Sequence, residues 1–181
     1  VGTYAPLQWL NQVVPVGDII SDNSVTGGES ASDVLSLQQI NNFTHTPING
    51  TIADLWQSCY EGINRANYMH QYKDKNPAGE TITFPGKDAL YGEVYFVRAY
   101  YYFTLVKMFG GVPLFVDKRL TFSDLGTITR SSQADVYKQI EADLTSAIAV
   151  LPVVQTEKGR ATKYAAQALL GKVLLYQNKF A

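Results

Sequence analysis

The chain has 181 residues, 46% of them hydrophobic and 17% charged. That is enough apolar material for one folded domain with its own core, and it excludes disorder throughout. The net charge of −1 leaves no basic surplus to hold nucleic acid or anionic lipid.

The charge is unevenly spread. Residues 1–64 hold six of the sixteen acidic groups (Asp18, Asp22, Glu29, Asp33, Asp54 and Glu61) and no Lys or Arg. The first basic residue is Arg65. The sequence shows no charged leader with an apolar core, and no run of about 18 apolar residues. Its single cysteine, Cys59, cannot form an internal disulfide and reads as core filler.

In chain order, Tyr4 to Val14 reads as a short helix with Leu7, Leu10 and Val14 on one side, stopped by Pro15 and Gly17. Gly17 to Ser32 has loop chemistry, rich in Asp, Asn, Ser and Gly. A second short helix falls within Ser32–Phe43, followed by a loop to Gly50. A long helix then starts near Thr51, with Thr51 and Asp54 as a weak capping pair. Leu55, Cys59, Ile63, Ala66 and His70 form its apolar stripe, which runs to about Tyr72.

Lys73 to Gly86 is a polar connector. The next helix, capped by Asp88, carries Tyr95, Ala99, Tyr102, Val106 and Phe109 along one stripe, widened by Phe96 and Phe103. Gly110 and Gly111 end it, and Pro113 prevents its continuation. A third long helix begins near Ser131 or Ser132, carries Val136, Ile140, Leu144, Ala147, Ile148 and Leu151, and stops before Pro152. A fourth begins near Thr162 with Ala165, Ala168, Leu169, Lys172, Val173 and Tyr176. Small residues such as Gly62, Gly92 and Gly171 mark places where helices can cross closely. The expected fold class is all-α: tetratricopeptide-like helix pairs over 51–181, with an irregular, loop-rich segment over 1–50 packed on them.

Four blocks of residues resemble the SusD/RagB-like family of outer-membrane nutrient-binding lipoproteins. Leu55-Trp56, Tyr60, Ile63-Asn64 and Ala66-Asn67 form the first. Glu93 to Pro113, read as EVYFVRAYYYFTLVKMFGGVP, is the second. Arg130-Ser131 with Val136-Tyr137, Ile140, Asp143-Leu144, Ala147-Ile148 and Leu151-Pro152 is the third, and Gly159 to Lys163 with Ala165-Ala166 and Leu169-Leu170 is the fourth. The resemblance implies a lipid-anchored protein on the extracellular face of the outer membrane in Bacteroidota. It implies capture of oligosaccharides, less often peptides or glycopeptides, for a SusC-like TonB-dependent transporter, with no cofactor. Family members are longer, so the chain is expected to lack their C-terminal portion and lipidated cysteine, and to meet the membrane only through that anchor. The alternative is a helical-repeat scaffold for protein interaction with no small-molecule ligand.

No catalytic residue emerges. His45 has no Asp, Glu or Cys at metal-ligand spacing, and no serine occupies a nucleophile elbow. Glu29 and Asp33 do not have the setting of a glycosidase pair. No metal site is assigned; Asp18, Asp22, Asn23 and Ser24 offer hard oxygen donors but fit no EF-hand spacing. Arg98 lies within an apolar helix and needs a partner, with Glu93, Asp143 and helix-terminal carbonyls as candidates. Trp56 reads as a core anchor. The ligand-binding expectation falls on Asp18, Asp22 and Asn23 as the polar half of a sugar surface, with Phe43 or Tyr4 as its ring. An ordinary self-capped turn is the competing reading of the same residues.

Overall fold

The computed structural model describes residues 2–21, 23–30 and 32–180. Six α-helices follow one another: α1 (Val13–Ile20), α2 (Leu35–Asn41), α3 (Gly50–Gln71), α4 (Lys87–Phe109), α5 (Gln133–Val150) and α6 (Lys163–Tyr176). Two 3-10 segments, Ala5–Gln12 and Phe122–Thr127, complete them. The described residues form no strand; Lys75 and Thr81 make one isolated antiparallel bridge inside the polar connector. The all-α expectation therefore holds.

The layout follows from which sides of each helix are apolar. Helix α4 is buried on several sides: Tyr91, Val94, Val97, Ala99, Tyr101, Tyr102, Phe103, Leu105 and Val106 are all at most 3% exposed. It therefore sits in the middle, flanked by α3 and α5, and α6 lies outside α5. Burying each of the larger of these side chains contributes about 1.5–3 kcal/mol. The rings stay inside because their hydroxyls find partners. Tyr101 donates to the Thr3 carbonyl at 2.8 Å and Tyr102 to the Phe115 carbonyl at 2.7 Å. Of the predicted α3 stripe, Leu55, Cys59, Ile63 and Ala66 are sealed at 0–1% exposure, while His70 is half-buried. Gly62 is where α3 meets α4 most closely: a Cβ there would overlap the Tyr101 ring. A smaller core of Val16, Ile19 and Ile40 joins α1 to α2 and, through Ile52, to the start of α3.

Several expectations need correction. The first helix does not stop at Pro15. A 3-10 run over Ala5–Gln12 leads into α1, which contains Pro15 and Gly17. Pro15 lies in the first turn of α1, where its missing N–H leaves no helical bond unmade. The loop expected from Gly17 thus begins only after Ile20.

Helix α3 is capped by Asn49, not by Thr51. The Asn49 side chain accepts from the Ile52 amide at 3.3 Å, and Thr51 spends its hydroxyl on Ser36. Gly86, with φ 77°, replaces Asp88 as the cap of α4, and Asp88 lies in the first turn. Gly110 does end that helix, at φ 69°. Ser132 and Thr162 cap α5 and α6 as expected. On α6 the covered residues are Ala166 and Val173, while Ala168, Gly171 and Tyr176 are exposed. Only one side of this helix is covered, and nothing approaches Gly171.

Candidate ligand-binding cleft

After α4 ends, the chain turns at Gly110 and runs along α3 as a strap. A single face of α3 holds that strap, because Tyr60, Asn64, Asn67 and Gln71 recur at helical spacing. The Tyr60 hydroxyl donates to the Pro113 carbonyl at 2.8 Å, and Asn67 Nδ2 donates to the Phe115 carbonyl at 2.8 Å. The Leu120 amide donates to Asn64 Oδ1 at 3.1 Å, and the Arg119 amide to Gln71 Oε1 at 3.3 Å. Backbone groups that would otherwise need a sheet partner are satisfied by side chains.

Arg98 anchors the strap from below. It is 3% exposed, and its Nε and Nη2 donate to the two Asp143 oxygens at 2.8 and 2.7 Å. Its Nη1 donates to Asn67 Oδ1 at 2.9 Å and to the Val116 carbonyl at 2.7 Å. Burial alone pushes this guanidinium down, but the bonds to Asp143 outweigh it and hold the group above its ordinary range. Of the candidate partners, Asp143 is the one used. Among the described residues, no buried side-chain polar atom lacks a partner.

Glu93 serves a different pair. It is 4% exposed and accepts from the Tyr4 hydroxyl at 2.8 Å and from Arg160 at 2.9–3.1 Å. The Tyr4 hydroxyl in turn accepts the Ala161 amide at 3.0 Å. Burial, the larger effect, and the neighbouring Glu93 carboxylate raise the Tyr4 phenol above its ordinary value, against the opposing Ala161 bond. These groups form the floor of a cleft of about 380 Å³ between the N-terminal residues, α3 and α4. Its rim carries Asn64, Arg65, Tyr68 and Arg119. Tyr68 is 46% exposed, with its ring edge-on to Tyr72 at 5.1 Å between centroids. Arg65 is held by Glu61 at 2.7 Å. An open aromatic face beside amide, carboxylate and guanidinium groups is suited to a polyhydroxylated ring: C–H groups cover the aromatic, and hydroxyls bond the polar rim.

A second cavity, of about 800 Å³, lies between α1, α2, the start of α3 and the end of α4. Its walls include Ile20, His45, Trp56, Met108 and Phe109. Trp56 packs edge-on against Phe109 at 5.0 Å and near Tyr60 at 4.8 Å, so it is a half-buried anchor with one side facing this cavity.

Asp18 lies on α1 and is exposed, not in a loop. Asn23 is exposed and comes beside Asp18, its amide donating to the Asp18 carbonyl at 3.1 Å. Asp22 lies outside the described residues. Phe43 follows α2 with φ 54°, and its ring is 64% exposed. Asp18, Asn23 and Phe43 line neither cavity. Sequence reasoning missed Asn64, Tyr68 and Arg119. The polar spacing of Tyr60, Asn64, Asn67 and Gln71, on the face flanking the apolar stripe of α3, was the available signal. Among the described residues, no three His, Cys, Asp or Glu side chains gather as a metal site, and no helix is long and apolar enough to cross a membrane.

A scaffold of helix pairs with a side cleft defines the class of fold, and its members are recognised by sequence as well as shape. Over residues 8–175 the chain matches the SusD-like family described as starch-binding and associating with the outer membrane. The chain belongs to the SusD-like family. It is 32% identical to SusD-like protein P38 of Formosa agariphila over 164 residues, 91% of this chain and 30% of that protein. A laminarin-binding SusD-like protein superposes at TM-score 0.78 with 34% identity, covering 98% of this chain and 40% of its own. Surface glycan-binding protein A of Bacteroides thetaiotaomicron, solved with laminarihexaose, superposes at 0.81 with 26% identity, covering 97% of this chain and 37% of its own. The chain spans about three-tenths of the length of the curated relatives it matches.

Proposed function

We propose that this chain is the helical part of a glycan-capturing lipoprotein of the outer membrane. In this reading it holds an oligosaccharide at the Tyr68 cleft and passes it to a SusC-like TonB-dependent transporter, breaking no bond and using no cofactor. The observation that carries the proposal is the open Tyr68 ring beside Asn64 and Arg119, on a fold shared with a protein solved with laminarihexaose. A pyranose laid on that ring buries its apolar C–H face, worth about 25 cal/mol per Å², and the polar rim fixes orientation. The lipid anchor and the transporter belong to the same proposal at the level of the whole protein.

Asp18, Asp22, Asn23 and Phe43 remain as a proposed second contact surface. The outward Phe43 ring and the exposed Asp18–Asn23 pair support it. Calorimetric titration with a panel of oligosaccharides tests the function. Binding of at least one glycan, weakened by Tyr68→Ala, is the expected result. Heat with peptides and none with any glycan redirects the assignment, and hydrolysis of a glycan by the pure protein contradicts passive capture.

One observation favours a second reading, a helical scaffold for a protein partner. Tyr164, Leu175 and Tyr176 leave an apolar face on α6, each at least 53% exposed, and such faces mark interaction surfaces. A pull-down of a SusC-like transporter, positive while every glycan fails to bind, selects this reading.

A further inference from the structure

We infer that the cleft selects anionic glycans, chains bearing uronate carboxylates or sulfate esters, through Arg119. The inference rests on the cleft being the glycan site and names the chemical class it takes. Five charged side chains reach the cleft: Glu61, Arg65, Glu93, Arg119 and Arg160. Four of them are spent on one another. Arg65 and Glu61 pair at 2.7 Å, and Arg160 and Glu93 at 2.9 Å. Both carboxylates are thus neutralised by guanidinium groups. Arg119 alone has no carboxylate within 4.0 Å among the described residues, and its neighbour Lys118 is tied to Asp124 at 2.7 Å. Arg160 also pairs at 3.3 Å with Glu157, which does not line the cleft; among the lining side chains the unspent charge is therefore a single positive one, that of Arg119.

The strap fixes the backbone from which the exposed Arg119 side chain extends. The amides of Arg119 and Leu120 are held by Gln71 and Asn64 of α3. Tyr68, on the same helix, lines the same cleft with its ring open to solvent. A pyranose stacked on Tyr68 would bring its ring substituents toward that guanidinium. A planar fork of N–H donors fits a carboxylate or a sulfate ester by two parallel bonds, which no neutral hydroxyl reproduces.

The test uses the whole protein of which this chain is the helical part, and three hexasaccharides: an oligogalacturonate bearing only carboxylates, a κ-carrageenan fragment bearing only sulfate esters, and neutral laminarihexaose. At low ionic strength at least one anionic hexasaccharide is expected to bind about tenfold more tightly than laminarihexaose, and to lose that advantage as salt is added. Whichever of the two binds identifies the anionic group. Arg119→Gln is expected to cut the anionic-to-neutral ratio about tenfold, and Arg119→Lys to keep the salt-dependent part of it. Circular dichroism melting confirms that both variants remain folded. Equal or tighter binding of laminarihexaose, or a ratio unmoved by Arg119→Gln, overturns the inference and leaves glycan capture standing. Failure of every oligosaccharide to bind overturns both.

Discussion

Arg98 shows how one residue ties the cleft to the core. Its guanidinium is desolvated, paired in a fork with Asp143, and bonded to the strap through Val116. Removing one partner of a buried pair leaves the other charge unmatched, which costs roughly 3–5 kcal/mol. Arg98→Met should lower the unfolding free energy by about that much in urea titration, whereas Arg98→Met with Asp143→Leu should recover most of the loss. An equal loss in the single and double variants would show that the pair is not the source. The need for a partner was legible from Arg98 sitting between Val97 and Ala99. The choice of Asp143 over Glu93 was not, because it depends on which helix faces which.

His70 carries a pH dependence at the same scale. Its Nδ1 lies 3.3 Å from the Tyr95 hydroxyl. Burial, then the positive charge of Arg98, lower its proton affinity below the ordinary value of 6.5. A histidine lowered by folding takes up its proton more readily in the unfolded chain. Its contribution is therefore fully present above pH 6.5 and is lost as pH falls from there through the folded value. Denaturant titrations across this range should show stability falling with acidification, and a shallower fall in His70→Gln. Identical slopes for the two proteins would remove His70 as the cause.

Among the elements, the long helices were read well because apolar residues recur at helical spacing over many residues, and α5 and α6 also carry side-chain start signals. Ser132 and Thr162 cap α5 and α6 where expected. The errors cluster where short-range signals conflict with packing. Pro15 reads as a stop, yet it sits in a first turn that tolerates it. On α6 the periodic residues fit more than one face, and only packing against α5 decides which is covered. At the start of α3, Asn49 displaced Thr51 because its side chain also bonds Ser36 and Gln39, fastening α2 to α3. Asn49→Ala should therefore cost about 1–2 kcal/mol. Hydrogen exchange in that variant should speed up in α2 and the first turn of α3 while α4 and α5 stay protected. Uniform acceleration across all helices would contradict so local a role.

For the molecule as a whole, the apolar pattern led to the all-α class, and the four-block resemblance led to the SusD-like family. The cleft was not legible, because it is assembled from the N-terminal residues, α3, the strap and Arg160, which lie far apart along the chain. Its parts are also ordinary in isolation: a surface tyrosine, an asparagine and an arginine. Only the strap, fastened by Asn64, Asn67 and Gln71, brings Arg119 to the Tyr68 side of α3. The most direct measurement is an amide chemical-shift map of the chain titrated with a glycan that binds it. Capture at the cleft predicts saturable shifts centred on Asn64, Tyr68 and Arg119, with α6 unmoved. Shifts confined to α6 or to the Trp56 cavity, with Tyr68 and Arg119 unchanged, would contradict it.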